Sequence, residues 1–272
     1  MKTVLITGCS SGIGLDAARH MRGRGWRVIA TCRKPEDIEA RRAEGFDTLP
    51  LELGCDDSVA RCAESALALG RIDALVNNAA FAIPGAAEDL PRGALRAIFE
   101  ANLFGTHDLT RRLIPHFRAH GGRVVNISSV LGLVGIPWRG AYVATKFALE
   151  GLTDVLRVEM ADTGVRFILI EPGPIGTKIR QNSIPHFERW IDWRSSPRAE
   201  QYRRTLLKRL YEPAARKDRF ELPPSAVSAR IAQALESPRP RPRYYVTAPT
   251  HVSGIGRRLL STRALDWFAR RS

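Results

Sequence analysis

Tyr142 and Lys146 stand four residues apart in Gly140-Ala141-Tyr142-Val143-Ala144-Thr145-Lys146, and Ser129 lies thirteen residues before the tyrosine. In a helix this spacing puts both side chains on one face, so that the ammonium can sit beneath the phenol. A phenol titrates near ~10 and is a poor acid or base at neutrality, but a neighbouring cation stabilises the phenolate and brings it toward the working range. Ser129, supplied by a separate strand end, could hydrogen-bond the oxygen on which charge changes during a reaction. Taken alone, the same spacing fits an exposed helix pair. The surrounding elements decide between the two.

Val4-Leu5-Ile6-Thr7 is a short apolar run ending in Gly8-Cys9-Ser10-Ser11-Gly12-Ile13-Gly14, after which a helical pattern runs from Leu15 to Gly23. A buried strand, a glycine turn and a helix start make an anion site, because unpaired backbone N–H groups and the helix dipole face the turn. Gly8 permits the tight turn, Gly12 lets the backbone approach a pyrophosphate, and Gly14 lets helix and strand pack closely. The next strand, Arg27-Val28-Ile29-Ala30-Thr31, delivers Cys32-Arg33-Lys34 to the sheet's carboxyl edge. There an acid would hold a ribose 2′-hydroxyl, whereas a basic residue accommodates a 2′-phosphate. Arg33, with Ser11 and Lys34, therefore predicts NADP(H) in preference to NAD(H).

Phe46 to Leu53 reads as a third strand and Ala74-Leu75-Val76-Asn77-Asn78-Ala79-Ala80 as a fourth. A helix from Arg92 to Phe117 would carry Asn102 in its interior, where an amide needs a partner. Arg123 to Ser129 and Val165 to Ile170 are the fifth and sixth strands, the latter leading into Glu171-Pro172-Gly173-Pro174-Ile175-Gly176-Thr177, and Tyr244 to Thr247 is the seventh. Strands alternating with helices specify a doubly wound α/β domain over residues 1–272, with a seven-stranded, mostly parallel sheet whose ligand lies beyond the strands' carboxyl ends. Every motif named so far falls on that edge.

The 272 residues, 44% of them hydrophobic, are enough for a sizeable core, and no run approaches the ~18 apolar residues of a spanning helix. The apolar part of the N-terminus is too short for a signal peptide, and Cys9, Cys32, Cys55 and Cys62 show neither metal spacing nor a disulfide framework. A cytoplasmic, metal-free protein is expected. The net charge of +14 is concentrated late: residues 189–272 hold 19 basic and 7 acidic side chains, a balance of +12. Only six of the 42 basic residues are lysine, as a bias toward arginine would produce, and no nucleic-acid motif accompanies them. No nucleic-acid partner is expected.

Thr7-Gly8-x-x-x-Gly12-Ile13-Gly14, Asn77-Asn78-Ala79, Asn102, Ser129, Tyr142-x-x-x-Lys146 and Pro172-Gly173-x-x-x-Thr177 together resemble the short-chain dehydrogenase/reductase family, to about Ala248. The opening Thr-Gly-Cys-Ser-Ser-Gly-Ile-Gly and Lys146-Phe147-Ala148-Leu149-Glu150-Gly151-Leu152 look most like its 17β-hydroxysteroid and retinol dehydrogenase branch. The resemblance implies a Rossmann-type domain in which hydride passes between a nicotinamide and a carbonyl carbon. By position, Tyr142 would be the acid in reduction and the base in oxidation, and Ser129 would bind the carbonyl oxygen. Lys146 would lower the Tyr142 pKa and hold the nicotinamide ribose, while Asn102 would anchor a water leading protons to Lys146. Gly8, Ser10, Ser11, Gly12, Ile13, Gly14, Arg33, Asn78, Ala79, Pro172, Gly173, Ile175 and Thr177 would hold the cofactor. Gly54 replaces the Asp that the family commonly carries near the adenine, and Ala80 replaces a glycine.

Between Thr177 and Pro223, apolar residues at roughly helical spacing predict a substrate lid over residues 178–223, of one or two helices with an aromatic inner face. Phe81, Leu131, Val134, Trp138, Phe187 and Trp190 would line an apolar pocket, so the expected substrate is a hydrophobic ketone, aldehyde or alcohol. In the basic tail, residues 250–272, a helix from Ser253 to Arg271 would align Leu260, Ala264, Trp267 and Phe268. Its partner would be its own domain, another subunit of a homo-dimer or homo-tetramer, or an anionic membrane surface. A non-catalytic cofactor-binding sensor and a membrane-surface binding protein are the rival readings.

Overall fold

The computed structural model describes residues 1–212 and 220–270. The 213–219 part of the expected lid and the last two residues of the tail therefore lie outside the described residues. Strands β1 (Thr3–Ile6), β2 (Arg27–Cys32), β3 (Asp47–Pro50), β4 (Ala74–Asn77), β5 (Gly122–Ile127), β6 (Val165–Glu171) and β7 (Arg243–Tyr245) form one sheet in the order β3-β2-β1-β4-β5-β6-β7. Every pairing is parallel. The chain winds outward from β1 to β3 and then returns to β4, which makes the β1–β4 boundary the switch point where ligands bind.

Period-two alternation explains why the strands read as unbroken apolar runs. Val4 and Ile6 enter one core cluster and Leu5 the other, so both faces are buried. Helices α1 (Gly12–Gly23), α2 (Pro35–Ala43) and α10 (Pro224–Glu236) cover the first face. The second is covered by α3 (Asp56–Ala68), α5 (Thr106–His120) and α6 (Gly140–Glu159). Around the sheet's carboxyl edge, α4 (Arg92–Phe99), α7 (Ile179–Trp190), α8 (Ala199–Gln201) and α9 (Leu207–Tyr211) are joined by loops and by a π turn at Tyr202–Leu206. The chain closes with α11 (Ala248–Leu259) and α12 (Thr262–Ala269), and among the described residues no helix is long and apolar enough to cross a membrane.

Three local expectations change. The third strand is confined to Asp47–Pro50 rather than reaching from Phe46 to Leu53. The helix expected from Arg92 to Phe117 is α4 and α5 joined by a π turn, Glu100–Gly105, that contains Asn102. Its last residue packs so closely on the segment after β3 that a Cβ at Gly105 would lie 1.9 Å from the Leu53 carbonyl oxygen. The single tail helix is two, because Leu260 is extended and the Ser261 hydroxyl caps α12 by accepting from the Ala264 N–H at 3.4 Å.

Gly105→Ala must move either the π turn or the β3–α3 connection. A loss of about 1–3 kcal/mol is expected, read as a melting temperature lower by about 2–4 °C per kcal/mol. An unchanged melting temperature would show that this contact yields without cost.

Candidate active site

The turn after β1 is built for close approach. Gly8 and Gly12 have φ of +74° and +58°, and a Cβ at Gly14 would lie 2.2 Å from the Gly8 carbonyl oxygen. Ser11 starts α1 in an extended conformation without a side-chain capping bond, and the first turn contains no acid. Its N–H groups thus meet an anion without a competing carboxylate, a fit to a cofactor pyrophosphate. Thr177 leans over the same turn, its methyl 3.3 Å from where a Gly12 Cβ would be. Asn78 Nδ2 donates to the Thr7 carbonyl at 2.8 Å, and the Asn78 and Ala79 N–H groups both reach Thr7 Oγ1 at 2.9 Å. Asn77, its neighbour, is instead a buried tie that donates to Thr110 Oγ1 and Asn126 Oδ1.

Arg33 follows β2 with its side chain 59% exposed and reaches Glu52 at 3.5 Å. An exposed pair of this kind contributes only about 0–1 kcal/mol, so it leaves the guanidinium available to a phosphate. Sequence reasoning missed Arg41, whose guanidinium donates to the Cys9 and Ser10 carbonyls at 3.3 and 3.4 Å and so braces the glycine turn. Its only sequence signal was a basic residue in an amphipathic helix. At the other strand end the Val130 N–H donates to the Pro172 carbonyl at 2.7 Å, and Gly176 and Pro174 bracket Leu222 through backbone hydrogen bonds. Ile175, with Leu222, forms an isolated bridge there. A Cβ at Gly173 would strike Thr247 Oγ1 at 2.1 Å.

Tyr142 and Lys146 lie in the first two turns of α6, both buried, at 9% and 3% exposure. Lys146 Nζ donates to the Ile127 carbonyl at the end of β5 at 2.7 Å and lies 5.5 Å from the centre of the Tyr142 ring. Burial pushes the phenol up to about 12, against the opposing effects of the Ser129 hydroxyl and the Arg139 charge. Desolvation thus outweighs the lowering expected from nearby charge. Burial also draws Lys146 down to about 8, with Glu150 opposing. Ser129 caps a 3₁₀ turn, Val130–Gly132, by accepting from the Leu131 N–H at 3.1 Å.

Asn102 Oδ1 accepts from the Phe81 N–H at 3.0 Å, while Nδ2 donates to the Phe81 carbonyl at 2.9 Å and to Thr145 Oγ1 at 3.3 Å. Both amide hydrogens are thus committed, and the side chain fixes Phe81 beside α6.

Of the expected pocket residues, Phe81, Leu131, Trp138, Phe187 and Trp190 join Tyr142 in one apolar cluster, whereas Val134 lies outside it. Phe81 stacks on His186 with ring centres 4.1 Å apart. Phe187 is fully buried and packs near Tyr202, whose ring also meets Trp138 at 4.7 Å. Tyr202, one of the apolar residues at helical spacing in the 178–223 segment, is also a polar anchor: its hydroxyl donates to Asp89 Oδ2 at 2.7 Å and accepts from the Ala86 N–H at 2.8 Å. Ser196 donates to the same carboxylate oxygen at 2.7 Å.

Comparison with known proteins agrees with this geometry. Residues 2–187 match the family model described as short chain dehydrogenase. The uncharacterized oxidoreductase YbbO of Escherichia coli K12 is 39% identical over 268 residues, covering 97% of this chain and 93% of that protein. Human 17-beta-hydroxysteroid dehydrogenase type 1 is 34% identical over 90% of this chain and 77% of its own. A short-chain dehydrogenase from Streptomyces avermitilis superposes with a TM-score of 0.80 at 30% identity, covering 98% and 96% of the two chains.

Asn102→Ala strands the Phe81 N–H and carbonyl together. A loss of about 1–3 kcal/mol is expected in denaturant unfolding, and a variant as stable as the wild type would contradict the clamp.

Proposed function

Since this chain belongs to the short-chain dehydrogenase family and is an oxidoreductase acting on CH–OH groups, we propose that it interconverts a carbonyl and an alcohol on a bulky apolar substrate. NADP(H) is preferred over NAD(H). The supporting observation is that Tyr142 belongs to two neighbourhoods at once, the polar set with Ser129 and Lys146 and the apolar cluster with Phe81, Trp138 and Phe187. A substrate filling the second presents its oxygen to the first.

The nicotinamide, when bound, supplies or takes the hydride. The Tyr142 hydroxyl gives its proton to the carbonyl oxygen in reduction, and the Ser129 hydroxyl holds that oxygen in place. A phenol with a pKa of about 12 is fully protonated near neutrality, which suits reduction. In oxidation the same oxygen must first lose its proton, and the Lys146 ammonium beneath the ring is the charge that favours the phenolate. Lys146 also holds the nicotinamide ribose. Thr177 and the backbone around Gly173 fix the carboxamide, and Arg33 receives the 2′-phosphate.

Residues 178–223 act as the substrate lid, moored by Tyr202 and Ser196 to Asp89. Exposed Phe104, Val155 and Val158 beside the helices of Asn102 and Tyr142 support a homo-dimer or homo-tetramer through those helices. Val252, Ile255 and Leu259 give α11 an exposed apolar side, suited to a partner subunit or an anionic membrane surface. Three buried thiols, Cys9, Cys32 and Cys62, raised by burial, suit a reducing cytoplasm.

NADPH oxidation against steroid, retinoid, aliphatic and aryl carbonyls tests the reading. Tyr142→Phe should lower kcat at least ~100-fold. Loss of charge-assisted bonds in Arg33→Glu should lower kcat/KM for NADPH roughly 10-fold or more and spare NADH. NADPH binding without turnover of any carbonyl would instead favour the sensor.

A further inference from the structure

Behind Lys146 lies a buried charge cluster to which the hydride transfer described above assigns no part. Glu150 is one turn beyond Lys146 on α6 and 5% exposed, and Glu171 ends β6 fully buried. Arg243, which opens β7, bridges them. Its Nη1 donates to Glu150 Oε2 and, at 2.8 Å, to Glu171 Oε1, while Nη2 reaches Asp154 Oδ2 at 2.6 Å. Asp154 is also paired with Arg157.

The Glu150 carboxylate also reaches the turn that carries Ser129. A Cβ at Gly132 would lie 2.6 Å from Ser128 Oγ and 3.1 Å from Glu150 Oε1, so a side chain there would push the carboxylate away. Arg257 from α11 donates to the Gly132 carbonyl at 3.2 Å on the same turn. Three segments are thereby joined through one guanidinium and two carboxyl groups: the Tyr142–Lys146 helix, the Ser128–Ser129 strand end and the Glu171-Pro172-Gly173 strand end.

As a stabilising device the cluster is a poor one. Glu171 Oε2 is buried without a hydrogen-bond partner among the described residues. Buried ion clusters are commonly matched or bettered in stability by apolar side chains of similar volume. What an apolar replacement cannot supply is negative charge beside a buried ammonium.

We infer that Glu150, clamped with Glu171 by Arg243, is a positioning residue that keeps Lys146 protonated and in place, so that this cluster sets the pH at which the site loses its cation. The inference rests on the role proposed above for Lys146. Burial draws Lys146 down to about 8 and Glu150 opposes that fall. Burial, with the like charge of Glu150, pushes Glu171 up to about 8 against the pull of Arg243. Of the other groups facing Glu150, Asp154 adds to the negative charge, while Arg243 offsets it and Ser128 hydrogen-bonds it.

The chain has only six lysines, so 13Cε-lysine labelling of the intact, cofactor-free protein gives a resolvable NMR titration, with Lys146→Met assigning the signal. In Glu150→Gln the Lys146 titration should fall by about one pH unit or more. The alkaline limb of kcat should move with it, KM should change little, and Glu150→Asp should restore most of both. Glu150→Met, which removes the same charge with a side chain of similar size, should shift the titration the same way and serves if Glu150→Gln does not fold. A titration unmoved in the folded variants overturns the inference while leaving an inactive Lys146→Met, and hence the catalytic reading, intact. Full turnover by Lys146→Met would instead overturn the role of Lys146 itself.

Discussion

Everything at this site follows from keeping an ammonium out of water. Lys146 Nζ is held by the Ile127 carbonyl at 2.7 Å, and that bond ties the first turns of α6 to the end of β5. Burial disfavours the charge it encloses, so the fold must return favourable interactions from elsewhere. They come from the strand carbonyl and from the charge of Glu150, one turn along α6. The same desolvation keeps the Tyr142 phenol protonated. One constraint thus bears on the geometry of α6 and on the protonation of both Tyr142 and Lys146.

The parallel sheet makes this possible by ending all its strands on one edge. β1 delivers the glycine turn, β4 delivers Asn78 and Ala79, β5 delivers Ser129 and β6 delivers Pro172 and Gly173. Cross-links between these ends keep them in register: Asn78 to Thr7, Val130 to Pro172, and Thr177 over Gly12. Above this edge the aromatic cluster hangs from Asp89, which ties Ser196 and Tyr202 to the segment after β4. Tyr142 belongs both to this apolar cluster and to the polar set with Ser129 and Lys146.

Much of this was legible in the sequence because it is local. The strand runs carry their own alternation, Gly8, Gly12 and Gly14 mark a turn by spacing alone, and Tyr142 with Lys146 declares a helix face. What was not legible depends on partners far away along the chain. Arg243 is 93 residues from Glu150, and Tyr202 is 113 from Asp89, so no periodicity announces either contact. The π turn at Asn102 reflects the close approach of Gly105 to Leu53, which no helix propensity encodes. Desolvation likewise belongs to the packed state: four residues of spacing predicted that Lys146 would lower the phenol, whereas burial raises it. In the tail, a stripe that looked continuous breaks at Leu260 because Ser261 caps a second helix.

The central claim is that hydride passes directly from the nicotinamide to a carbonyl carbon while Tyr142 provides the proton. Its most direct test is reduction of a carbonyl substrate in ordinary water with NADPH carrying deuterium at the transferring C4 position, followed by mass spectrometry and NMR of the alcohol. The account predicts one deuterium, bound to the carbinol carbon, with the hydroxyl hydrogen coming from water. An alcohol whose carbinol carbon carries only solvent hydrogen would contradict it.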